Sequence, residues 1–171
     1  MTSNEPIVVI FDYDPRWPAL YEEQERVIRG ALGERARVVE HAGSTSVPGL
    51  AAKPIIDIVL AVPDSVDEAA YVPDLEAAGY EFRFREPDWY EHRFLRRTDP
   101  KVNLHVFTEG CEEIDTMLAF RDWLRADEAD RGLYERTKRE LAERDWAVVQ
   151  DYADAKTDIV HEIVARANAR R

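Results

Sequence analysis

Two rhythms of apolar residues alternate along this chain, and each change of rhythm predicts an element. Ile7 to Tyr13, "IVVIFDY", is β-branched and aromatic and reads as a first strand, after which Pro15 can start a helix. Trp17, Leu20, Tyr21, Gln24, Val27, Ile28 and Ala31 then recur at helical spacing until Gly33 stops them. "RARVVEH" reads as a second strand, "GSTSVPGLAAK" as a loop, and "PIIDIVLAV" as a central strand apolar on both faces. Ser65 and Glu68 stand at capping-box spacing ahead of a helix that Pro73 kinks or splits and Gly79 closes. "YEFRFRE" alternates as a half-exposed strand, and "YEHRFLRRT" and "VNLHVFT" flank "DPK" as an antiparallel hairpin. From Glu112 onward the spacing is helical, with breaks expected near Asp127 and Asp151. The reading is α/β (α+β): a mixed sheet flanked by helices over residues 1–110, then a C-terminal helical segment over 111–171, in one domain.

One residue breaks the central strand. Alternation places Asp57 on a face with Ile55, Val59 and Ala61, so a carboxylate points where apolar side chains point. Such a group needs a cation or several donors, or its pKa rises. Just upstream, Gly43, Ser44 and Thr45 form a small hydroxyl-rich turn whose N–H groups and hydroxyls could cradle a phosphate. Phosphate beside carboxylate suggests a bridging divalent metal. The plainer alternative is that Asp57 caps a turn or pairs with a buried base, and that the loop is merely tight.

Composition narrows the choice. The 171 residues, 45% of them hydrophobic, suffice for one ordinary core. Twenty-three basic residues against 35 acidic give a formal net charge of -12, which opposes general binding to nucleic acid or an anionic membrane. Cys111 is alone, so a reducing compartment fits, and Glu112 and Glu113 beside it disfavour a thiolate. No apolar run approaches a membrane span and no basic stretch precedes one, so a cytoplasmic protein is expected.

The helical tail adds cations to this acidic chain. Ile114, Met117, Leu118, Phe120 and Leu124 share one helical arc with Arg121 in its middle, and Tyr152, Ile159, Val160 and Ile163 share another with Lys156 at its centre. Two inward bases suggest a pocket for an anionic small molecule, with Lys53 and Arg93 completing a clamp. Pairing of Arg121 and Lys156 with internal acids, or snorkelling to the rim, is the structural alternative. His41, His92 and His161 read as structural or surface residues, and the tryptophans as core anchors, Trp89 being the one placed to stack on a base.

"HAGSTSVPGLAAKPIIDI", residues 41–58, resembles the signature of the GrpB family, a group placed in the nucleotidyltransferase superfamily with polymerase-beta-like and aminoglycoside-modifying enzymes. "YDPRW", "HRF", "NLHVF", "FRDWLR" and the tail residues Tyr134, Lys138, Leu141, Tyr152 and Lys156 extend the likeness over nearly the whole chain. The resemblance implies a nucleotidyltransferase-like mixed sheet, a nucleoside triphosphate as substrate, and magnesium or manganese as the ion. It makes Gly43 and Ser44 the phosphate-holding pair and Asp57 the first metal-binding acid. The superfamily's second acid corresponds to Val59, and its third to a strand that carries His105 in place of an acid. Two-metal phosphoryl transfer generally needs carboxylates to place its cations. A single metal on Asp57 and His105, a contribution from Glu91, or loss of catalysis would each accommodate the change.

The leading expectation is therefore a metal-dependent transfer of a nucleoside monophosphate to a small acceptor. Asp57, His105 and Lys156 would be catalytic, and Gly43, Ser44, Thr45, Lys53, Arg93 and Arg121 would hold the nucleotide. A non-catalytic nucleotide-binding module is the alternative, and an interaction protein with internal salt bridges a third. Members of the family fused to dephospho-coenzyme A kinase fit the first two. A homodimer is among the partners considered, with His161 a surface or dimer contact.

Overall fold

The computed structural model describes residues 8–144 and 149–170. Helix α1 (Trp17–Leu32) starts two residues after Pro15, which was expected to open it, carries Pro18 in its first turn, and ends at Gly33, whose positive φ turns the chain out of the helix. Strands β1 (Val38–Ala42) and β2 (Ile56–Val62) pair antiparallel across the signature loop. A short α2 (Val72–Ala77) leads to β3 (Glu81–Glu86), β4 (His92–Thr98) and β5 (Lys101–Thr108). The sheet order is β1-β2-β5-β4-β3, with β2 and β5 parallel and every other pairing antiparallel.

Both faces of β2 are buried, as its unbroken apolar run predicts. Ile56, Ile58 and Leu60 join Val102, Leu104 and Val106 against α1 and α2. On the other face Val59 and Ala61 join Ala42 and Phe107 under helix α3 (Glu112–Ala126), through Ile114, Met117 and Leu118. Helix α4 (Glu128–Ala142) begins at Asp127, whose carboxylate accepts from the Asp130 N–H. Helices α5 (Val149–Ala155) and α6 (Thr157–Ala169) follow. Ile163 of α6 and Tyr134 of α4 pack with Val47 and Leu50, so the helical tail closes over the signature loop.

Several expectations change. The first strand reduces to one bridge, Phe11 to Ala52, and Ile7 lies outside the described residues. Pro73 begins α2 where a kink was expected, because a proline in a first turn gives up only an amide that has no helical partner. Ser65 caps nothing; its hydroxyl donates to the Glu91 carbonyl. The tail breaks at Asp127 as expected; beyond it α4 ends at Ala142, α5 begins at Val149 and contains Asp151, and a further break at Lys156 precedes α6. Among the described residues no helix is long and apolar enough to cross a membrane.

Candidate functional site

The signature loop is shaped by Asp57. Gly43 has φ +69°, and a Cβ there would stand 2.5 Å from Asp57 Oδ2, so only glycine lets the turn close over the carboxylate. The chain then makes one tight helical turn, Ser44–Ser46. Inside it, His41 Nε2 lies 2.9 Å from Thr45 Oγ1, which donates at 3.2 Å to the Ile55 carbonyl. His41 is therefore the donor in this pair and carries its proton on Nε2. Burial, reinforced by Arg125 and Arg121, lowers its pKa to about 4 against the pull of Asp57. Thr45 is committed to holding the loop, whereas the Ser44 hydroxyl meets Tyr134 at the mouth of a cavity.

That cavity, about 170 Å³, lies near the N-terminal ends of the two parallel strands. Ser44 and Thr45 line it from the turn, Lys53, Ile55 and Asp57 from the run into β2, and Asn103 from β5. Lys138, Tyr152 and Lys156 close it from the helical tail. Lys138 is held rather than loose: its ammonium donates to the Ala51 carbonyl at 2.7 Å while Glu135 accepts from the Ala51 N–H at 2.7 Å. One turn of α4 thus clasps both polar groups of a loop residue. Lys53 and Lys156 stand over the Tyr152 ring, at 5.7 and 4.6 Å from its centre.

These lysines stand apart from the arginines of the buried clusters. All ion pairs among the described residues are made by arginines or histidines, and none by a lysine. Lys138 is only 2% exposed. Burial, and next the nearby charge of Lys156, pull its pKa down to about 7. Burial, and then Lys53, pull Lys156 down to about 8, partly opposed by Asp57. The cavity therefore holds positive charge that the protein itself leaves largely uncompensated.

The two arginines expected in the clamp are elsewhere. Arg93 lies on the opposite sheet face, where its guanidinium donates to Glu68 at 2.7 Å and Glu91 at 3.2 Å. Arg121 does point inward, but it donates to Glu40 at 2.8 Å and to the His41 carbonyl at 3.0 Å, behind the loop rather than in the cavity. Both hold the frame of the site. Lys138 takes the place expected of them.

Asp57 and His105 do meet, with Oδ1 and Nε2 3.2 Å apart. The chain continues: His105 Nδ1 lies 3.1 Å from His92 Nε2, and His92 Nδ1 lies 2.9 Å from Glu86 Oε1. Three links need three bridging protons, and two neutral imidazoles carry two. Burial holds His92 neutral, with its pKa near 3. With both rings neutral, two of the three links are bridged at a time.

This donor set does not fit a protein-held magnesium ion. Magnesium favours several oxygen ligands, whereas here the one carboxylate, Asp57, is bonded to the His105 imidazole, Glu91 is turned to Arg93, and Val59 is packed under α3. Among the described residues no group of three or more His, Cys, Asp or Glu side chains could hold a metal. Three ammonium groups in the same cavity would also repel a dication.

Comparison with known proteins places this arrangement. The family described as "GrpB protein" matches residues 7–166. The chain belongs to the GrpB family. It is 59% identical over 162 residues to the UPF0157 protein BH1888 of Halalkalibacterium halodurans, covering 95% of this chain and 83% of that protein. It is 51% identical over 160 residues to the UPF0157 protein SCO7215 of Streptomyces coelicolor, covering 94% and 84%. A protein named dephospho-CoA kinase from Mycolicibacterium paratuberculosis is 31% identical over a match covering 90% of this chain and 44% of its own length. The crystal structure of conserved protein GrpB from Enterococcus faecalis superposes with a TM-score of 0.84 at 31% identity, covering 95% and 98% of the two chains. The GrpB resemblance read from residues 41–58 is thereby established.

Two site residues escaped the sequence reading of this GrpB chain. Lys138 sits between Tyr134 and Leu141 on the buried stripe of α4, so the argument that singled out Lys156 would have found it. His92 faces Phe94 and His105 by strand register, which "HRF" and "NLHVF" alone do not disclose.

Proposed function

We propose that the cavity binds the polyphosphate of a nucleoside triphosphate and that the chain transfers the nucleoside monophosphate to a small acceptor. One observation carries this reading: three lysines without carboxylate partners converge on a glycine-serine turn and a strand-borne aspartate. A polyanion supplies what those ammonium groups lack, and a pyrophosphate leaving group would be stabilised by them as its charge develops. An acceptor hydroxyl or amine attacks the α-phosphorus, the bond to the bridging oxygen breaks, and pyrophosphate departs. His105, oriented by His92 and adjoining Asp57, is the group placed to take the acceptor's proton. The positive charge comes from the protein, and no step is assigned to a metal. The kinase name of a longer relative adds a phosphate-handling context.

The same residues favour a second reading, a nucleotide-binding module without transfer, because Val59 stands where the superfamily pattern has its second acid. Titrating ATP, GTP, CTP and UTP with and without magnesium, while following thermal stability and pyrophosphate release, separates the two. The transferase raises Tm by about 5–10 °C at a hundredfold excess over Kd and releases pyrophosphate when amine or hydroxyl acceptors are added. The module shows the Tm rise without release. Absence of any rise rejects both.

A further inference from the structure

The sheet face that carries Asp57 is covered unevenly. Helix α3 packs over β1, β2 and Phe107, and Trp89 stands edge-on to Phe107 and His92, with ring centres 5.5 and 4.8 Å away. Beyond them, toward β3, the face opens. Phe84 of β3 is 45% exposed and stacks on Phe94 of β4 at 4.8 Å, with ring planes 12° apart. Phe94 meets His105 edge-on at 5.5 Å, and Arg96 is exposed one step along the same face. Register confirms the alignment: Asp57 pairs with Asn103, Asn103 with Arg96, His105 with Phe94, and Phe94 with Phe84.

We propose that Phe84 and Phe94, with Arg96 beside them, form a stacking subsite for the base of the nucleotide whose phosphates occupy the lysine cavity. The proposal rests on the polyphosphate reading above and adds where the base lies. Exposed aromatic rings in a parallel stack lose apolar surface to water, and a planar heterocycle laid on them recovers it, whichever base it is. Arg96 can lie along the ring edge as a cation. The subsite is continuous with the cavity through His105 and Asn103. Phe94 is two strands from Asp57, about 10 Å across the sheet, a span that a nucleotide's sugar bridges. Trp89, the aromatic expected from sequence to stack on a base, instead braces His92. The stacking rings favour a base without reading its edges, so purines should bind more tightly than pyrimidines and the four nucleotides should otherwise be poorly distinguished.

The test compares inorganic tripolyphosphate with ATP by calorimetry on the full chain, in the native protein and in Phe84→Ala, Phe94→Leu and the double variant. Phe84 is on the surface, so its variant should fold, and circular dichroism checks all three. The expected result is ATP binding about tenfold more tightly than tripolyphosphate. The double variant should lose that tenfold advantage while its tripolyphosphate affinity is unchanged. Equal affinity of the native protein for both ligands would overturn the base subsite and leave the polyphosphate reading standing. Binding of neither ligand overturns both. A shift from dimer to monomer in Phe84→Ala, with ATP affinity unchanged, would show that a second copy covers this face and would likewise overturn the subsite.

Discussion

The surroundings of Arg93 and of Lys138 both place cations almost out of reach of water, and they solve the problem in opposite ways. Arg93 is 4% exposed at its side chain and sits among Glu68 and Glu91, with Arg85 sharing Glu68. The charges close on one another, and the carboxyl of Glu68 is held below its ordinary range by Arg85 and Arg93. Lys138 has one backbone carbonyl and a tyrosine face, and its nearest charged neighbours include two more lysines. An internally neutralised cluster is scaffold, whereas a cluster that leaves its charge for something else is a site. Fork-shaped arginines make the first kind at Arg93 and Arg121; point-charge lysines make the second.

Breaking the scaffold should have the largest effect. Arg93→Ala leaves Glu68 with the exposed Arg85 alone and Glu91 without its buried partner, and should destabilise the fold by about 3 kcal/mol in urea unfolding, the low end for a buried pair because both acids are partly exposed. Gly43→Ala comes next. It forces a glycine-only backbone conformation and drives a methyl into Asp57, for about 3 kcal/mol by the same measurement.

Lys138→Met should act in the other direction. It removes a desolvated charge while losing one hydrogen bond, so the unliganded protein should gain about 1–2 kcal/mol, or about 3–6 °C in Tm, and bind polyphosphate about tenfold more weakly through the two remaining lysines. A destabilised variant that binds polyphosphate undiminished would erase the contrast with Arg93. The smallest effect is on the acid side. His41 is held neutral in the fold near pKa 4, and its unfolded value is 6.5, so the unfolded chain binds more protons between those limits. Its share of stability is intact well above pH 6.5 and falls as pH drops toward 4, by about 1 kcal/mol at pH 6. His41→Asn should flatten that limb of a pH-stability curve.

The strands and helices were legible because their apolar periods differ, and the central strand was legible because β2 has no polar face except at Asp57. The N-terminal segment is less regular than its composition suggests: "IVVIFDY" has strand-like residues, but among its described residues the pairing is a single bridge from Phe11 to Ala52. For the site, helical phase placed Arg121 inward on α3, yet phase gives direction without partner; Lys156 also reaches the cavity, but from the break between α5 and α6 rather than from the single continuous helix expected. Glu40, 81 residues away in sequence, neutralises Arg121. Strand alternation could have placed Arg93 on the face opposite His92 and Phe94, since it lies between them. The imidazole pair of His92 and His105 depends on hairpin register, which the turn and the bulge in the neighbouring strand pairing set only once the chain folds.

The central claim is that the three lysines wait for a polyanion. Calorimetric titration of tripolyphosphate at pH 8, in buffers of different ionisation enthalpy, tests it most directly, because Lys138 and Lys156 lie near pKa 7 and 8 when the cavity is empty. Anion binding should raise both values, so the account predicts net proton uptake of up to about one proton, reduced in Lys138→Met. Binding with no proton uptake, or no binding at all, would contradict it.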